Sequence, residues 1–431
     1  MKLKRFLGAL SAALMIVIVI LILAPCTLAA SNYKVLHSFT GVDGQETMGR
    51  LLLDAAGNLY GMTTYGGAYG EGTVFELTPN ANGTWTESVL YSFTGGTDGA
   101  EPLWSGLAFD SAGNLYGTTE YGGSGYGVVF ELSNLDGTWT ENVLYSFSGG
   151  GDGAYPITVP AFDQSGNLYA STSAGGTHGE GTVFQLTPGA DGVWTEKVLH
   201  GFAGGDDGHS PWAGLVFDTA GYLYGTTRGG GRSGCSPDSG CGTVFQLAPG
   251  QGDKWTYRVL HRFTGGKGGF DPSIAGMVFD TAGTLYGSTE YGGIGDCVYY
   301  GNSGCGTIFK MTPVADNKWN YGVVYHFRGG KAGGDPFRVI FDAAGTLYGT
   351  TVEGGIPGCD QECGTVFKLS PTSGGLGRAN SQGWHESVLH GFKGFAGNPD
   401  TGLVLDSAGN IYGTARYGGA HGAGVVFEIT P

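Results

Sequence analysis

The stretch that decides the fold is Phe109-Asp110-Ser111-Ala112-Gly113-Asn114-Leu115-Tyr116-Gly117-Thr118-Thr119. An apolar Phe, a tight turn from Asp110 to Asn114 and then a run of β-favouring Leu, Tyr and Thr read as a hairpin. Variants of the phrase recur with the Asp at 54, 110, 163, 218, 280, 342 and 406, so successive copies lie 56, 53, 55, 62, 62 and 64 residues apart. Each copy leads into a Gly-rich loop and a Gly-Thr-Val-Phe-x-Leu-Thr-Pro run, as at 72–79. A short polar turn and Trp-Thr-x-x-Val-Leu-x-x-Phe follow, as at 85–93. One repeat therefore holds four short strands, a to d. In the second copy the spacing predicts a at 106–110, b at 114–119, c at 128–132 and d at 139–147.

A lone four-stranded sheet cannot hide both faces, and radial stacking of such sheets leaves only short, protected edges. The expected fold is all-β: a seven-bladed β-propeller of four-stranded antiparallel blades spanning 31–431. The chain offers a lone d-type strand at 33–39 and a c-type strand at 425–429. Together these fragments complete one sheet, so the N-terminal strand is expected to pair with the C-terminal blade. An open superhelix of sheets, the alternative, leaves that complementarity unexplained.

Composition agrees. Of 431 residues, 86 are Gly, against a usual share of roughly 7%, which favours turns over long helices. The glycines follow no three-residue period, and 41% of residues are hydrophobic, which excludes collagen and low-complexity disorder. With 21 Lys+Arg against 37 Asp+Glu, a net charge of −16, and no basic run, nucleic acid is an unfit partner.

Lys2, Lys4 and Arg5 precede an uncharged run at 6–24 and the small residues Thr27-Leu28-Ala29-Ala30-Ser31. This is the order of a secretory signal at 1–30, cleaved after Ala29 or Ala30. The expected location is extracellular or periplasmic. At 19 residues the run also approaches membrane-spanning length, so an uncleaved anchor stays open. Cys26 follows Pro25, where lipoprotein processing wants a small residue, which argues against lipidation.

The Gly-x-Leu-Tyr-Gly-Thr-Thr, Tyr-Gly-Gly and Gly-Thr-Val-Phe elements resemble the GloVer tandem repeat of exported bacterial proteins, also labelled HAF-type extracellular repeats, over essentially all of 33–431. The resemblance implies a secreted or surface-attached β-propeller without an assigned activity, usually held by a C-terminal sorting anchor. The sequence departs from that pattern by ending in its last strand, which puts surface attachment in doubt unless the N-terminal segment supplies it.

Six cysteines fall in the b–c loops as Cys235/Cys241, Cys297/Cys305 and Cys359/Cys363. In an exported chain this reads as three disulfides, each stapling its own loop. Metal ligation is the competing reading, disfavoured by the missing His neighbours and Cys-x-x-Cys spacing.

In such a ring the d–a and b–c connections share one face and the a–b and c–d hairpins the other. The hairpin face is monotonous, its Asp and Gly serving turns. The other carries the length variation and the cysteines, and loops on a rigid scaffold are where binding usually resides. Candidate ligand-binding residues there are Tyr65, Tyr121, Tyr291 and Tyr417 after strand b, with Arg228 and Glu353 near the equivalent place. Others are Asp98, Asp152 and Asp207, together with Asp43, Asp271, Asp335 and Asp400, in d–a loops, and Trp104 and Trp212, the two Trp outside the repeat frame. Aromatic platforms beside carboxylates suit sugar rings. The plain alternative is that Tyr-Gly-Gly packs a turn and Asp-Gly makes another. His178, His209 and His421 lie on the same face without a motif.

No nucleophile motif or phosphate loop is visible. Oxygen-rich d–a acids suit Ca²⁺, but no loop has dense alternating Asp/Asn spacing, so neither metal nor cofactor is expected. Three functions stay open. The first is a monomeric module binding a glycan or a cell-surface protein. The second is a polysaccharide-cleaving enzyme, a hydrolase or lyase using channel-mouth acids, and the third is a structural surface protein.

Overall fold

The computed structural model describes residues 31–235, 240–274, 276–299, 302–355, 363–371, 383–393 and 397–431. The expected signal segment lies outside them. Seven antiparallel sheets of the a-b-c-d order follow one another, each holding one copy of the repeat. In blade 2 the strands are a Ala108–Phe109, b Leu115–Thr119, c Val128–Leu135 and d Thr138–Ser146. Strand a is shorter than the expected 106–110 because only Ala108 and Phe109 pair with strand b, while Gly106 bridges to Arg50 of blade 1. Strand c is longer than expected because the turn tightens to Asp136-Gly137, both at positive φ (55° and 84°), as a type I′ hairpin requires.

The ring closes as the sequence predicts. Asn32–Ser38 lies antiparallel to Val425–Thr430, with Tyr33 opposite Ile429 and Ser38 opposite Val425, and forms the outer strand of blade 7. Tyr33 also stacks on His390 of blade 6 (3.9 Å, 9° between planes), tying the first described strand to both neighbours.

Each seam between blades carries its own hydrophobic cluster. Between blades 1 and 2, Val74, Phe93, Leu107, Leu115 and Phe130 are wholly buried. Full burial of one such side chain stabilises by roughly 1.5–3 kcal/mol, and the repeat supplies the same set at every seam. The in-frame Trp residues fill seams too. Trp85 packs edge-on against Tyr412, and Trp255 against Tyr169.

Two polar devices lock the seams. Gly72, in the b–c loop, sits at φ +101°, and a Cβ there would lie 2.8 Å from Cδ of Pro102 in the next blade; only glycine lets the proline dock. Further out, d-strand positions match in pairs: Tyr325 donates to Glu386 (2.8 Å), His200 stacks on Tyr257 (3.7 Å) and His261 on Tyr321 (3.9 Å). Where Glu occupies the pair, as at Glu87, Glu141, Glu196 and Glu386, burial pushes its carboxyl up to about 7.

Candidate functional site

The hairpin face is fully occupied by turn chemistry. Asp54 Oδ1 accepts the N–H groups of Ala56 (2.9 Å) and Asn58 (2.8 Å), and the Tyr60 hydroxyl lies 2.7 Å from Glu76 and 3.3 Å from Asp54. The same latch recurs at Asp110, Asp163 and Asp406. Grooves open between these hairpins, one of about 460 Å³ between blades 3 and 4 lined by Asp163, Asp218 and Trp255. They are by-products of the repeat, because their carboxylates already serve backbone and tyrosine.

The opposite face is built on one unusual position per blade. Glu46, Glu101, Tyr155, Ser210, Asp271, Asp335 and Asn398 each adopt φ between 51° and 62°, a region that costs non-glycine residues energy and that surrounding structure must hold in place. What holds them is one hydrogen bond across each seam. The N–H of Glu46 donates to Ala423, Glu101 to Glu71, Tyr155 to Tyr126 and Ser210 to Glu180 (each 2.9 Å). Asp271 donates to Cys241 (3.1 Å), Asp335 to Cys305 (3.0 Å) and Asn398 to Cys363 (3.2 Å). The seven side chains surround the mouth of the central channel.

In blades 4 to 6 the acceptors are cysteines. Cys235–Cys241 and Cys297–Cys305 form the expected disulfides, with Cα atoms 5.1 and 5.0 Å apart. The third expected pair includes Cys359, outside the described residues. Disulfides fit an oxidising, extracellular or periplasmic setting. Among the described residues no helix is long and apolar enough to cross a membrane.

The candidate acids separate into two groups. Asp98 accepts from Thr94 N–H (2.8 Å) and the Tyr91 hydroxyl (2.9 Å). Asp152 does so from Ser148 (2.8 Å) and Tyr145 (3.2 Å), and Asp207 from Ala203 N–H (2.9 Å) while meeting His200 (3.1 Å). These staple their own d–a turns. Burial raises the Asp98 carboxyl, but the Thr94 and Tyr91 hydrogen bonds outweigh it and hold the pKa low. Asp43 is stapled likewise by Thr40 (2.8 Å). With His37 and Glu87 it forms, among the described residues, a trio whose ligand atoms lie within 4.8 Å of one another, at the outer edge and away from the mouth.

Asp271 and Asp335 stand at the mouth. Arg228 pairs with Asp271 (2.9 Å) and Glu290 (3.6 Å). Burial, opposed by Arg228, leaves Asp271 raised to about 6. Burial together with neighbouring carboxylates drives Glu290 and Asp335 well above the ordinary range, and burial lifts Glu353 to about 7. On the other side of blade 7, Arg416 binds Glu46 (2.8 Å) and lies 4.0 Å from Asp400.

Trp104 and Trp212 meet across the mouth, ring centroids 5.6 Å apart and 24° between planes. The Arg228 guanidinium lies 4.5 Å over Trp212, so that ring already has two partners. The tyrosines divide: Tyr291 is 4% exposed and packs on Phe270 (5.4 Å), and Tyr417 lies beneath Arg416 (4.9 Å). Tyr121, 40% exposed, meets Tyr155 edge-on at 5.5 Å, and Tyr126 meets Tyr155 at 5.9 Å. The Tyr65 hydroxyl donates to Glu101 (3.3 Å). Among the described residues that the candidate tyrosines touch, this leaves an open patch: Tyr65, Tyr121, Tyr126 and Tyr155 with Glu101 and Glu120. Tyr126 and Tyr155 escaped notice in the sequence because neither lies in Tyr-Gly-Gly; their offset from the turn Asp was the available signal.

Among solved structures, the fold is similar to a candidate gluconolactonase (16% identity over 70% of this chain and 80% of that one, TM-score 0.37). It is also similar to a candidate oxidoreductase of the glucose dehydrogenase kind from Thermus thermophilus (16%, 76% and 96%, TM-score 0.44). A protein of unknown function from Dyadobacter fermentans resembles it as well (12%, 79% and 99%, TM-score 0.45). No curated protein matches the chain. The model of the Gloeobacter/Verrucomicrobia repeat matches at residues 24–237, 125–296 and 236–431. Every described blade thus carries the same motif, and the chain belongs to the Gloeobacter/Verrucomicrobia repeat family.

Proposed function

We propose that this propeller is a secreted binding module that takes carbohydrate at the mouth of blades 1 to 3. The observation that carries this reading is the open tyrosine patch. Tyr121 and Tyr126 are 40% and 38% exposed, and each is braced against Tyr155. Aromatic faces stack on the apolar face of a sugar ring, while carboxylates at their edge accept its hydroxyl hydrogen bonds. Glu101 and Glu120 occupy that edge, and burial lifts the Glu120 carboxyl above its ordinary value. Rigid tyrosines lose little conformational entropy on binding, and here the seam hydrogen bonds to Glu101 and Tyr155 fix the backbone beneath them.

A glycan array probed with wild type and with the Tyr121→Ala/Tyr155→Ala variant tests this, reducing-sugar release being followed in parallel. Binding without release, weakened about 10-fold or more by the variant, is the expected result. Unchanged binding by the variant overturns the assignment of the site, and release of reducing ends replaces a binding module with an enzyme.

A further inference from the structure

We propose that the central channel of the ring, below the mouth and separate from the tyrosine patch, binds one small inorganic anion of chloride size between Arg50 and Arg338. The position four residues before the turn Asp is Gly in four blades, Val159 in blade 3, and Arg in blades 1 and 6. That position is where the blades converge. A Cβ on Gly106 would lie 3.0 Å from Val159 and 3.4 Å from Cβ of Arg50, and one on Gly402 would lie 3.0 Å from Cδ of Arg338 and 3.2 Å from Cγ of Arg50. The glycines therefore leave the axis empty for two long cationic side chains, which come together over blade 7.

Neither guanidinium has a counter-charge among the described residues. Arg228, Arg262 and Arg416 all enter ion pairs, whereas Arg50 and Arg338 enter none, and the Nε atom of each is buried without a hydrogen-bond partner. Among the described residues no acidic side chain lines the cavity, whose wall includes Trp104, Thr158, Val159 and Phe337 beside the two arginines. Burial lowers the pKa of both, and the Arg50 charge lowers Arg338 further; a guanidinium nonetheless stays charged in a protein. Both side chains are part-buried, and two like charges held close together away from bulk water without a partner are costly, while the chain's surplus acids are held elsewhere, at the mouth and in the turns. An anion on the axis satisfies both. The void is about 20 Å³, room for one water-sized sphere. A halide fits it, whereas a tetrahedral oxyanion is larger than the void.

Crystals of the wild-type chain grown without halide and soaked in sodium bromide provide the direct test. An anomalous peak in contact with both guanidiniums is expected; a blank axis overturns the proposal, and sulfate displacing bromide there overturns the size assignment. In solution, replacing gluconate by chloride at constant ionic strength should raise the wild-type Tm saturably by several degrees. The same titration should leave Arg50→Met/Arg338→Met unmoved, and an identical rise in that variant contradicts the site. If the variant does not fold, the bromide map decides.

Discussion

Blades 1 to 3 and blades 4 to 6 place the same left-handed residue at the mouth and use it in opposite ways. In blades 1 to 3 that position holds Glu46, Glu101 and Tyr155, and its surroundings are exposed tyrosine and unstapled loop. In blades 4 to 6 it holds Ser210, Asp271 and Asp335. Disulfides anchor the next seam of blades 4 and 5, strand b of blades 5 and 6 runs on to Tyr291 and Glu353, and charge is buried. One scaffold thus carries a stiff, proton-holding half and an open aromatic half. The left-handed position is common to both, so the difference lies in its side chains, in the loops around it and in how far strand b runs on. Variation at a fixed, over-determined position is how a repeat protein can diversify a surface without disturbing its core.

The stiff half can be broken first at its staples. Replacing Cys235, Cys241, Cys297 and Cys305 by Ser is expected to cost about 2 kcal/mol per bridge in the chain-entropy account. Urea unfolding should show this as a lower midpoint while the tyrosine patch keeps its ligand. Next is its buried charge. Arg228→Ala strands Asp271 and Glu290 and should cost about 2 kcal/mol, less than for a fully buried pair because part of the side chain meets solvent. Equilibrium unfolding of the variant measures this.

Protonation provides a finer test. Glu353 and Asp271 are raised to about 7 and about 6 from ordinary values of 4.5 and 3.8. The folded state therefore binds more protons, and stability is fullest below the unfolded pKa values and is lost as pH rises through 6 to 7. Glu353→Gln should flatten this decline between pH 4.5 and 7.5, read as Tm against pH. Smallest of all, Tyr121→Ala in the open half should change stability by no more than about 0.5 kcal/mol, an outcome that separates a binding role from a packing one.

The fold was legible because its signals are local. Each Asp-Gly turn and each alternating strand is read from a few adjacent residues, and the two end fragments, at 33–39 and 425–429, are recognised by the same short motifs although they lie at opposite ends of the chain. The site was legible by residue type but not by place. Asp98 and Asp271 look alike in a d–a loop, yet they stand twelve and nine residues before their turn Asp; the first staples a turn and the second reaches the mouth. Tyr121 and Tyr291 share Tyr-Gly-Gly, but Tyr291 lies on an extended strand b opposite Phe270 and is buried. Arg50 and Arg338 needed only the repeats laid in register, where two Arg and one Val interrupt a column of Gly. The left-handed backbone of Glu101 or Tyr155 carries no residue signature, because it is imposed by the seam hydrogen bond rather than by the residue itself.

Hydrogen exchange of the wild-type chain, with and without the tightest glycan found on the array, tests the functional reading most directly. Slowed exchange at 99–104, 119–127 and 153–156, with blades 4 to 6 and the hairpin face unchanged, is the predicted result. Protection confined to the hairpin face, or to the disulfide-bearing loops, contradicts it.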